Sequence, residues 1–169
     1  MTLSASEAAL WLEDRKPYEA MEEAVIRSTL AHPGDLHYEA VDALRYVINF
    51  AKLRKIRNQD GTDVDVEGAL APHAWKVRTT LGPRLEEPSL WAAMRVLPEL
   101  VADTRERRRR LLEQFPLDRD SLEAEVCTRQ LVVVLGGGGG AGYSYAGAWT
   151  LFHRRGLQPE LISGTSIGS

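Results

Sequence analysis

The hydrophobic pattern of the chain changes character once, near residue 129. Upstream, apolar side chains return every three or four positions; downstream they run together. Tyr18, Met21 and Val25 recur at i, i+3 and i+7, and Val41, Leu44, Ile48 and Ala51 repeat that spacing further on. Each set falls on one face of an α-helix. Ser4 followed by Glu7 makes a capping box that opens a short first helix through Trp11 and Leu12, and Pro17 suits the first turn of a second. A third helix is expected over residues 36–56. A weaker one covers 74–80, and a long one covers 89–115 with a kink or break at Pro98. A last helix covers 117–129. "HPGD", "RNQDGTD" and "GPRLEEPS" read as the loops between them.

Downstream, "QLVVVL" is β-branched and continuous, the pattern of a strand buried on both faces of a parallel sheet. Five glycines follow at 136–140. Residues 143–155 read as a helix, with Tyr145, Trp149 and Phe152 on one side, Arg154 and Arg155 at its negative end and Gly156 as its cap. "PELIS" is a second short strand. The result is a β-α-β unit, whose strands are expected to be adjacent and parallel with a right-handed crossover. The fold class is therefore α/β: a mainly helical region, 1–129, followed by the start of an α/β domain, 130–169.

Composition narrows the classes of function. The chain is 44% apolar and 27% charged with a net charge of −3, as in a soluble globular protein with no strong pull toward nucleic acid. The single cysteine, Cys127, allows no internal disulfide and is expected to pack on a helix as a small apolar residue. The start, "MTLSASEAALWLEDRK", lacks the basic segment of a secretory signal, and no apolar run reaches the ~20 residues of a membrane span. A cytoplasmic location follows as the expectation, and peripheral contact with a membrane is compatible with it. No metal or cofactor is expected. His32, His37, His73 and His153 lack ligand spacing. "IRNQDGTDVDVE" matches a calcium loop at Asn58, Asp60, Gly61, Thr62 and Glu67 but fails at Ile56 and Asp63, so it reads as a solvated loop. "TRERRRR" reads as a solvated helix face, with phospholipid or phosphate contact as the alternative. Trp11, Trp75, Trp91 and Trp149 read as core or groove residues.

Two motifs carry chemistry. Gly164-Thr165-Ser166-Ile167-Gly168 fits G-x-S-x-G directly after a strand. Glycines two before and two after the serine let a sharp strand-to-helix turn present its hydroxyl, and the next N–H, of Ile167, can donate to an oxyanion. The glycine run has two readings. Gly137 to Gly142 satisfies G-x-G-x-x-G, but the acidic residue that would hold a ribose is missing: the second strand ends in Ser163, and Glu160 lies at its start. No Gly-Lys-Ser/Thr is present. In the other reading, bare backbone N–H groups form an anion nest that serves as an oxyanion hole.

The stretch "VVVLGGGGGAGYSYAGAWTLFHRRGLQPELISGTSIGS" resembles the opening of a patatin-like phospholipase domain. It has the strand, the glycine-rich loop of the form GGGxRG, the helix ending in G-x-x-P-x-x-I, and the GTSxG elbow in that order. "GTSIGS" is most similar to the neuropathy-target-esterase branch. The resemblance covers about the last 40 residues. It implies a three-layer α/β/α sandwich and a Ser–Asp dyad acting on lipid esters. Ser166 would be the nucleophile, Gly137, Gly138 and Gly139 would supply oxyanion N–H groups, and Gly164 and Gly168 would be the elbow glycines. Two departures stand out. Ala141 occupies the position of the family's arginine, and no Asp-Gly-Ala/Gly motif occurs by Ser169. The chain is thus expected to be the N-terminal part of a larger hydrolase and to be inactive alone. Two other readings remain open: a non-catalytic protein whose helical region is a binding module, and a nucleotide-binding β-α-β.

Overall fold

The computed structural model describes residues 5–31, 38–87, 89–127, 132–136, 142–156 and 161–164. The chain divides into two compact units, Met1–Cys127 and Thr128–Ser169.

The first unit opens with α1, Ala5–Ala31, which is one continuous helix rather than two. Pro17 lies inside it. The carbonyl left without its usual partner belongs to Glu13, an exposed position where water can serve instead. Tyr18, Met21 and Val25 then pack into the core as their spacing requires. Helix α2, Tyr38–Ala51, buries Val41, Leu44, Val47, Ile48, Phe50 and Ala51. It ends before residue 56 because Lys55–Arg57 (β1) pairs antiparallel with Asp63–Asp65 (β2). "RNQDGTD" is a loop as expected over residues 58–62, and it joins the two strands of a β-hairpin. Ile56 and Val64 face each other, both buried, while their neighbours face water. That inward position is why a calcium-loop reading meets isoleucine where it needs a carboxylate. Gly61 turns the chain at φ 84°, a conformation that side chains resist, with its N–H bonded to Asn58 O at 2.9 Å.

Helix α3, Glu67–Leu85, is much longer than the 74–80 expected. Pro72 and Pro83 lie on exposed positions within it, and Leu70, His73, Val77, Leu81 and Leu85 form its buried stripe. Helix α4, Trp91–Gln114, likewise runs unbroken past the exposed Pro98. Helix α5, Arg119–Cys127, closes the unit. Two apolar clusters result. One joins α1, α2, α3 and the first half of α4. The other gathers Phe50, Ile56, Val66, Leu70, Leu111 and Leu122 around the hairpin and α5.

Three expectations about single residues are corrected. Cys127 is exposed, because it is the last residue of α5 and falls beyond the stripe of Leu122 and Val126. Trp75, Trp91 and Trp149 are exposed, so none is a core residue, though Trp75 lines a cleft as the groove alternative allowed; the side chain of Trp11 lies outside the described residues. Asn58 is buried, not part of a solvated loop. Its amide donates to Pro116 O at 2.7 Å and accepts from Asp118 N at 3.1 Å, which fastens the hairpin tip to the segment between α4 and α5.

The second unit contains β3, Val132–Leu135, helix α6, Gly142–Arg154, and β4, Leu161–Gly164. The strands pair in parallel. Gly156 follows α6 at φ 65° with its N–H on His153 O, the cap that its position suggested. Strand β3 is not buried on both faces. Val134 is 74% exposed, because the two strands and one helix among the described residues have too few layers to cover both sides. A three-layer sandwich is not reached by the described residues.

Candidate functional site

The first residue of each motif, Gly136 and Gly164, lies at the end of β3 and β4, and the pairing decides where those ends lie. Val132 pairs with Leu161, Val133 with Ile162, Val134 with Ser163 and Leu135 with Gly164. The strands run in step, so the chain leaves both at one edge of the sheet. Gly136, first of the glycine run, follows Leu135, and Gly164, first elbow glycine, is the last residue of β4. The Tyr145 hydroxyl donates to Gly136 O, which ties the first turn of α6 back to the end of β3. A Cβ on Gly136 would meet nothing within 4 Å, so packing does not demand glycine there. Gly137, Gly138, Gly139, Ala141, Ser166, Ile167 and Gly168 lie outside the described residues, as do His32, His37 and Glu160.

The first unit holds two polar clusters that the spacing of residues did not announce. His73 is only 1% exposed. Its Nδ1 lies 2.6 Å from Asp103 Oδ2, and its Nε2 lies 3.3 Å from Thr104 Oγ1. With Asp103 ionised, Nδ1–H donates to it. The Thr104 hydroxyl is also 2.7 Å from Leu100 O. Burial pushes the His73 pKa below the usual value, and the Asp103 carboxylate only partly offsets that. Burial works to raise the Asp103 pKa, yet the bond and charge of His73 leave it below the usual range. Lys76 sits 3.7 Å from the other Asp103 oxygen and 2.9 Å from Glu99. The enclosed ring has no route to a substrate. It ties α3 to α4, edge-on to Phe50 with ring centres 5.6 Å apart. One signal was present: His73 falls in register with Leu70, Val77 and Leu81, inside an apolar stripe.

The second cluster joins α2, α4 and α5. The Tyr46 hydroxyl donates to Glu123 at 3.1 Å, and Arg108 donates to the other Glu123 oxygen at 2.5 Å. Burial, then the Glu123 carboxylate, pushes the Tyr46 pKa up to about 12. Arg108 thus leaves the basic run for the interior, while Arg109 and Arg110 share Glu106 and Arg109 also meets Glu113 at the surface. Among the described residues no group of three or more His, Cys, Asp or Glu could hold a metal, and no helix is long and apolar enough to cross a membrane.

No curated protein and no solved structure matches the chain. Residues 133–169, from the second residue of β3 onward, match the family model described as Patatin-like phospholipase, which supports a place for this stretch in the patatin-like family of lipid acyl hydrolases.

Proposed function

We propose that the chain begins the catalytic domain of a serine acyl hydrolase acting on lipid esters, with the helical unit placed ahead of it. The observation that supports this reading is the in-step parallel pairing of β3 and β4, from whose ends the first residue of the glycine run, Gly136, and the first elbow glycine, Gly164, lead on. Ser166 Oγ attacks the ester carbonyl, its proton passes to a base, and the alcohol departs to leave an acyl-enzyme that water then hydrolyses. The N–H groups of Gly137, Gly138, Gly139 and Ile167 stabilise the oxyanion. By resemblance, the base is an aspartate of a later motif, the fold is a three-layer sandwich, and the branch is that of neuropathy target esterase. The protein works in the cytoplasm, in peripheral contact with a membrane that holds its substrate.

One residue favours a second reading. Ala141 stands where the family's loop carries arginine, and a loop without that cation suits a protein whose helical unit binds and whose hydrolase activity is lost. A form carrying the downstream region separates the two. It is expected to hydrolyse a short-chain ester and to take a fluorophosphonate label, and Ser166→Ala should abolish both. Absence of label from a folded long form would favour the binding module.

A further inference from the structure

The helical unit holds a cleft of about 210 Å³ that no part of the hydrolase reading uses. It opens where α1, the connection from α2 to β1, and the first half of α3 meet. Its floor is apolar, with Ala51, Leu53 and Leu70 all buried. The indole of Trp75, 63% exposed, and the phenol of Tyr18 also line it. Four basic side chains line it: Arg15 from α1, Lys52 and Arg54 from the connection, and Arg78 from α3. Only two acids do, Asp14 and Glu67, in a unit whose acidic residues outnumber its basic ones.

The acids are already engaged. Arg54 holds Asp14 at 2.8 Å and Glu67 at 3.5 Å. Lys52 lies 3.8 Å from Glu22, and Arg15 the same distance from Glu19. Arg78 makes no ion pair among the described residues. It lines the cleft. Burial raises the pKa of the Tyr18 hydroxyl, and the charges of Arg78 and then Arg54 are the groups that work against that rise. The hydroxyl itself donates to Ala74 O at 3.1 Å, which holds the phenol against α3. The result is a small concave surface with an apolar base, an exposed indole and one basic side chain, Arg78, that no acid holds among the described residues.

We propose that this cleft binds a phosphate monoester, with the phosphate on Arg78 and a short organic part against Trp75. A guanidinium that no carboxylate already holds can fork onto a pair of phosphate oxygens. The apolar floor and the indole take the carbon skeleton. The phosphate belongs either to a soluble ester or to a lipid headgroup, and these share one chemistry. The site stands on the helical unit alone and is independent of the hydrolase reading.

The test uses the 169-residue chain. Glycerol phosphate is titrated by calorimetry and by tryptophan fluorescence, beside phosphatidylcholine vesicles with and without phosphatidic acid. Arg78 is exposed, so Arg78→Gln should keep the native circular dichroism spectrum. Loss of one charge-assisted pair, about 1.4 kcal/mol, should weaken binding roughly tenfold. Arg105→Gln, on an exposed position of α4, should leave binding unchanged, and Trp75→Phe should remove the fluorescence change while calorimetric binding persists. Saturable binding of glycerol phosphate with this pattern supports a soluble ester. Binding of phosphatidic acid vesicles alone, with the same Arg78 dependence, supports a headgroup. Binding by neither probe, equal binding by Arg78→Gln, or equal losses in Arg78→Gln and Arg105→Gln would overturn the proposal.

Discussion

Asn58 and His73 show how much of this unit's architecture rests on single polar groups. Each is buried, and each is held by a segment far away in sequence, the Asn58 amide by Pro116 and Asp118 and the His73 Nδ1–H by Asp103. Removing one partner of such a pair leaves the other without water or protein, at a cost of about 1–3 kcal/mol. His73 also makes stability depend on pH. Its pKa is lowered in the folded state by burial, so the unfolded chain takes up the proton first as pH falls. The neutral ring therefore contributes fully above the ordinary histidine value of about 6.5, and its contribution declines as pH falls below it toward the folded pKa. Urea unfolding at pH 7.5, 6.5 and 5.5 should show stability falling over this range. His73→Phe should be less stable at pH 7.5 by about 1–3 kcal/mol but should lose part of that slope. Parallel pH profiles for the two proteins would show that His73 does not titrate between the states.

Proline inside helices is the feature that misleads a reading by segments. Pro17, Pro72, Pro83 and Pro98 all lie within helices. Each removes one intrahelical bond, which sequence rules take as a stop. Pro72, Pro83 and Pro98 are exposed, where water can satisfy the freed carbonyl, and the buried stripe on the opposite face keeps the helix in place. Pro98→Ala should test this. If packing merely tolerates the proline, alanine should stabilise the unit by on the order of 1 kcal/mol, the helix gain being reduced by greater freedom of the unfolded chain. A lower melting temperature in the variant would mean that Leu97 and Leu100 depend on a bend at Pro98. The same comparison explains what was legible. Helices α2 and α4 were found because their apolar stripes are long and their breakers few. Helix α3 was reduced to a third of its extent because Pro72, Gly82 and Pro83 hid a stripe that is regular from Leu70 to Leu85. The hairpin was missed because each strand has only three residues, too short for alternation to be distinguished from chance.

The two units differ in how much they bury. Met1–Cys127 has two apolar clusters and cross-helix polar ties. In Thr128–Ser169, Val134, Trp149, Leu151 and Ile162 are exposed, and the sheet has two strands. A two-stranded sheet with so little cover is marginal in water. In the 169-residue chain, amide hydrogens of β3 and β4 should therefore exchange with solvent much faster than those of α2 and α3. Equal protection would show that the second unit is stabilised by contacts beyond its own sheet and helix.

The change from a helical to a continuous apolar pattern, the parallel β-α-β order and the two glycine motifs were readable along the chain, because each depends on neighbours a few positions apart. Joining α1 across Pro17, ending α2 at a hairpin, burying His73 against Asp103 and assembling four basic side chains around one cleft were not readable. Those features depend on which helix faces which, and the partners of Asn58, His73 and Arg54 lie tens of residues away. Whether a polar side chain meets water or a partner is decided only when those faces come together.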